Sequence, residues 1–184
     1  MKKLTFRGVI IAATICFGLL TTLVVAAHLL FPAGWLLSCA ISFGTTFYHF
    51  AMRLLVGSCI PNVFNHRSAW FQPSAFENKL YRLIRVKKWK DRIPTYNPRL
   101  FSMKENTPEQ IANNMCQAEV VHEVIILLSF VPMLFAIPWG SFFVFLITSV
   151  LAAALDTVFV ILQRYNRPRL VRLINKYNSR RCPS

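Results

Sequence analysis

Residues 9–31 read VIIAATICFGLLTTLVVAAHLLF, with no Lys, Arg, Asp or Glu and one histidine, His28. A helix needs about 20 apolar residues to cross the hydrocarbon core of a bilayer, so this stretch predicts a membrane span from Val9 to Phe31. The flanking Lys2-Lys3 and Val25-Ala26-Ala27 also fit a cleaved signal peptide. The apolar run is long for such a peptide, and an uncleaved span is expected.

Three further runs follow the same logic. Pro32-Ala33-Gly34 is a tight break, after which a second run from Trp35 to Val56 contains Tyr48, His49 and Arg53. A third run reaches from Ala118 to Ile137, with Glu119, His122 and Glu123 at its mouth and Pro132 as an expected kink. Pro138-Trp139-Gly140 ends it, and Ser141 to Leu162 is a fourth span with one charge, Asp156.

Composition agrees with this reading. Of 184 residues, 55% are hydrophobic and 15% charged, which excludes a disordered chain and argues against an ordinary soluble domain. The formal charge is nevertheless +14, and 20 of the 21 basic residues lie before the first span, between Ile60 and Gln117, or after Leu162. By the positive-inside rule those three segments are cytoplasmic, and the two short breaks face the other side. Nucleic-acid binding is the rival reading of the charge. No zinc-finger spacing or RNP-type aromatic motif accompanies it, so no nucleic-acid partner is expected.

The middle segment, residues 60–117, is patterned. Ser74 to Trp89 carries Phe76, Leu80, Leu83 and Ile84 at helical spacing with basic residues on other faces, as in a helix lying in the headgroup layer. Thr107-Pro108-Glu109-Gln110 reads as an N-cap with proline at the first helical position, and that helix should run unbroken into the third span. The expected fold class is an all-α membrane protein, one integral-membrane domain over residues 1–184. It has four transmembrane helices, a basic amphipathic cytoplasmic cap between the second and third, and a basic tail from residue 163 to 184.

Five scattered cysteines without a CxxC argue against a disulfide framework or a thiolate metal site, and Cys182 is a tail thiol. No metal and no bound cofactor are expected. No histidine is followed five residues later by aspartate, and G-x-S-x-G, H-E-x-x-H, P-loop and G-x-G-x-x-G patterns are missing.

The polar residues at membrane depth therefore carry the functional question. Glu119, His122 and Glu123 stand at i, i+3 and i+4 and can share a helix face. A carboxylate one turn from an imidazole can orient it as a general base, which casts His122 as catalytic with Glu119 its partner. Solvated charges at a helix mouth would be the bland alternative. His49, Arg53 and Asp156 should lie at similar depth, with Arg53 paired to Asp156 or Glu119; together with Glu123 they read as supporting residues. His66 belongs to no recognised motif. Beyond the fourth span, Arg164, Asn166, Arg167 and Arg169 suit either anionic lipid headgroups or the phosphates of a nucleotide-like acyl carrier. Lys88, Trp89 and Lys90 admit the same two readings.

Three pieces occur in order: Val86-Lys87-Lys88-Trp89-Lys90-Asp91, Ala118-Glu119-Val120-Val121-His122, and Gln163-Arg164-Tyr165-Asn166-Arg167-Pro168-Arg169-Leu170. Together they resemble the glycosyl-4,4′-diaponeurosporenoate acyltransferase family of small bacterial membrane proteins, over about Leu80 to Leu173. The resemblance implies transfer of a fatty acyl group to a sugar hydroxyl of a glycosylated carotenoid acid. The N-terminal pair of spans is longer and more apolar than the family pattern, which bears on the acceptor.

The expected function is acyl transfer from a cytosolic thioester, acyl-CoA or acyl carrier protein, to a hydroxyl of a membrane glycolipid. The setting is the bacterial cytoplasmic membrane, with both termini inside. Arg164, Arg167 and Lys88 or Lys90 would hold the donor. A non-enzymatic protein gripping anionic lipid headgroups, and a small membrane methyltransferase or reductase, are the alternatives.

Overall fold

A computed structural model describes residues 6–93 and 97–181, with side chains as far as Lys176. Lys2, Lys3 and Cys182 lie outside the described residues. The described chain is all-helical: α1 (Phe6–Leu30), α2 (Gly34–Cys59), α3 (Ala75–Leu83), α4 (Val86–Trp89), α5 (Pro108–Leu128), α6 (Ala136–Trp139) and α7 (Phe142–Arg181), with short 3-10 turns between some of them. Three helical stretches are long and apolar enough to cross a membrane: Phe6–Leu30, Pro108–Trp139 and Phe142–Lys176. Helix α2 has 26 residues, about 39 Å at 1.5 Å per residue, but its serines, threonines, His49 and Arg53 make it more polar than those three.

The chain packs as two compact units, residues 1–59 with 124–156 and residues 60–123 with 157–184. In the first, α1 and α2 form a hairpin knit by aromatic rings. Phe17 stacks on Phe50 with centroids 5.9 Å apart, and Phe43 lies 6.2 Å from the same ring. Phe47, on the same face of α2, sits over Gly18, where a Cβ would come within 3.1 Å of its ring. A side chain at position 18 would push that ring away. Hydroxyls on both helices bond carbonyls one turn back, as Thr14 does to Ile10 and Thr45 to Ile41, so no free hydroxyl faces the apolar surroundings at those positions.

Helix α5 stops at Leu128, short of the expected Ile137, because Pro132 has no N–H to continue the ladder and the chain turns into a 3-10 segment, Val131–Phe135. The freed Leu128 carbonyl accepts the Tyr48 hydroxyl at 2.9 Å. In the same unit Arg53 reaches α7: its guanidinium pairs with Asp156 and donates to the Ala152 carbonyl at 3.2 Å.

In the second unit, Ser74 and Glu77 close a capping box at the start of α3, and Thr107 and Gln110 do the same for α5. One side of α5 then holds the irregular stretch after α2. Asn113 bonds His66, Asn114 bonds Asn62 and the Leu100 carbonyl, and Gln117 bonds the Ile60 carbonyl. These bonds give His66 a structural role and satisfy backbone that no ladder supports. Helix α7 does not end with the apolar run. It continues through the basic segment to Arg181, with Pro168 inside it.

Candidate functional site

The second unit buries an ion cluster built from three elements. Glu77 comes from α3, Glu119 and Glu123 from successive turns of α5, and Arg164 and Arg167 from α7. The spacing explains the convergence: residues three or four apart project from one helix face, so each of α5 and α7 presents a pair. Arg164 bonds Glu119 through Nε at 2.7 Å, pairs with Glu77, and lies 3.6 Å from Glu123. Arg167 pairs with the second oxygen of Glu119 and donates to the Phe71 carbonyl at 2.6 Å. Its guanidinium also lies over the Phe71 ring, 5.0 Å from the centroid.

Glu119 is wholly buried and Arg167 is 2% exposed. Two charges this deep are tolerable because each is hydrogen-bonded as well as paired. Arg164 and Arg167, which the sequence pattern assigns to the donor, are thus turned inward onto carboxylates. Both oxygens of Glu119 are engaged by guanidiniums. Next to it, the His122 ring stacks on Phe159, with centroids 4.8 Å apart and planes 11° apart, which fixes the plane of the imidazole. Glu123 is half-buried beside Arg164, and Asn166 is half-buried on α7.

The other basic residues divide. Lys90 is held by Asp91 at 2.6 Å, and the Trp89 indole donates to the Ile84 carbonyl at 3.0 Å, which closes the turn between α3 and α4. Lys88 and Arg169 instead meet at one open cavity, where Arg82, Arg85 and Lys87 join them. Arg82 and Arg85 lie outside the three sequence motifs, and Lys87 lies in one of them without an assigned role. The signal for Arg82 was helical spacing, since Asn78, Tyr81 and Arg82 share one face of α3; Arg85 and Lys87 come from the turn and helix after it. Burial and the neighbouring Glu77 carboxylate push the Tyr81 phenol above the ordinary tyrosine range, so it stays a protonated donor. In the first unit, His49 is buried beside Tyr48, one turn from the Arg53–Asp156 pair.

Among the described residues no group of His, Cys, Asp and Glu has the arrangement of a metal site. Helices long and apolar enough to cross a bilayer mark the chain as a membrane protein. The family profile of glycosyl-4,4′-diaponeurosporenoate acyltransferases matches residues 67–176, more than half of the chain. The protein belongs to that family. Comparison with curated proteins and with solved structures finds no match.

Proposed function

We propose that the protein is a membrane acyltransferase that moves a fatty acyl group from a cytosolic thioester to a hydroxyl of a membrane glycolipid, a glycosylated carotenoid acid being the family's acceptor. The family match carries this reading, because residues 67–176 include the ion cluster, His122 and the basic cavity. In the reaction the acceptor oxygen attacks the thioester carbonyl carbon. The new C–O bond forms, the C–S bond breaks, and the hydroxyl proton ends on the departing thiolate. His122 is the base that takes this proton and passes it on, and its stacking on Phe159 supports a defined ring orientation. Glu119, with Arg164 and Arg167, is the buried frame that keeps α5 and α7 in register around it.

In this proposal α2 is the fourth span; its serine and threonine hydroxyls bond carbonyls along the helix, and Arg53 pairs with Asp156. The termini and residues 60–117 face the cytoplasm, as the distribution of 20 of 21 basic residues supports. The exposed Trp70, Phe76 and Leu83 suit a segment resting in the bilayer interface, near anionic lipid headgroups. The direct test is an assay of purified protein with a long-chain acyl-CoA and a glycolipid acceptor. Acylated glycolipid and free thiol should form in equal amounts. Thiol release that is unaffected by the acceptor would overturn the proposal.

A further inference from the structure

The basic cavity of the second unit has a volume of about 580 Å³, within the range of about 300–1,000 Å³ common for ligand sites. Five cations line it, Arg82, Arg85, Lys87, Lys88 and Arg169, together with the amide of Asn78 and the rings of Tyr81 and Tyr165. No acidic residue is among its lining residues, whereas Arg164 and Arg167 of the same unit are neutralised by glutamates. Like charges gathered without a counter-charge repel one another, and an anion of matching charge relieves that repulsion.

One of these cations, Arg169, is also held in place. Arg169 lies over the Tyr165 ring, 4.0 Å from its centroid, and donates to the Tyr165 hydroxyl at 2.5 Å. Tyr165 in turn packs edge-on against Tyr81, with centroids 5.8 Å apart. Arg85 has φ 52° and ψ 44°, the left-handed region that a residue with a Cβ rarely adopts. That backbone turns the chain sharply between α3 and α4, setting Arg82 of α3 and Arg85 of the turn beside Lys87 and Lys88 of α4. A disfavoured backbone at a charged cavity mouth is what a binding site retains and a neutral turn does not need.

We infer that this cradle binds clustered phosphates, and that they are the phosphates of a nucleotide-borne acyl donor of the coenzyme A type. The inference rests on the acyl-transfer reading for the donor and on the cavity alone for the phosphate. Guanidiniums grip phosphate oxygens in pairs, and the two lysines add point charges. A phospholipid headgroup shares the chemistry, so the test separates the two sources.

Arg85→Gly is the informative variant: it deletes a cation while relaxing the left-handed backbone, so folding should not suffer. Coenzyme A serves as the probe, titrated calorimetrically into the full-length protein in uncharged detergent. Wild type should bind it with an affinity that falls with salt. Arg85→Gly and the Lys88→Gln/Arg169→Gln double variant should each weaken binding about tenfold or more, given roughly 1.5–3 kcal/mol for a charge-assisted bond. Lys104→Gln, an exposed cation outside the cavity, should bind as wild type does. In a second arm, the same proteins are compared on phosphatidylglycerol and phosphatidylcholine nanodiscs. Wild-type coenzyme A affinity in both cradle variants would overturn the inference. Lost affinity for phosphatidylglycerol with unchanged coenzyme A binding would give the cradle to lipid and overturn the donor assignment. A protein that binds coenzyme A through the cradle yet transfers no acyl group would instead overturn the reaction and leave the cradle standing.

Discussion

Arg167 on α7 pairs with Glu119 on α5, and both side chains are sealed from solvent, at 2% and 0% exposure. The remaining capacity of each is taken up, by the Phe71 carbonyl on one side and Arg164 on the other. Removing Arg167 leaves one oxygen of the buried Glu119 without its partner, and breaking a buried pair typically costs about 3–5 kcal/mol. Arg167→Ala should therefore lower the thermal midpoint of the detergent-solubilised protein by many degrees. Arg167→Lys should recover part of the loss, because one ammonium cannot replace the two-pronged contact with Glu119 and Phe71. An unchanged melting curve for Arg167→Ala would mean the pair does not brace the unit.

His122 is tested through its ring. His122→Phe keeps an aromatic surface for Phe159 and deletes the base, so stability should hold while kcat falls. General-base catalysis contributes about 10²–10⁴-fold, and the drop should lie in that range. Turnover near wild type would remove His122 from the chemistry, and buried His49 would be the next base to examine.

Arg53 and Asp156 tie α2 to α7. Arg53→Met and Asp156→Asn should each destabilise the protein, and the double variant should lose less than the two single losses added together. That shortfall is the coupling energy of residues in contact, typically about 0.5–3 kcal/mol. Strict additivity in thermal denaturation would show that the pair contributes no joint stabilisation.

Topology is open to labelling. In a cysteine-free background, single cysteines at Lys88 or Lys104 should resist a membrane-impermeant thiol reagent added to intact cells and react after permeabilisation. Labelling from outside would reverse the orientation and remove the cradle from the compartment of a cytosolic donor.

Local chain properties carried much of the architecture. The apolar run from Val9 to Phe31, the break at Pro32-Ala33-Gly34 and the Thr107-Pro108 helix start are read within a few residues of themselves, because helix length, proline and capping act over one or two turns. That Arg53 needs a buried acid was also legible, with Asp156 and Glu119 as the two options, and the fold chose Asp156. What tertiary structure decided was which charges remain free. Arg164 and Arg167 look in sequence like the best phosphate ligands, but Glu77 and Glu119 arrive from α3 and α5 and neutralise them. In sequence Arg82, Arg85 and Lys87 look like the basic faces of a helix in the headgroup layer, yet the left-handed turn at Arg85 gathers them with Lys88 and Arg169 around one cavity. Helical spacing sets which side chains share a face. The partner that face meets comes from residues 40 to 90 positions away, and only the folded chain brings those partners together.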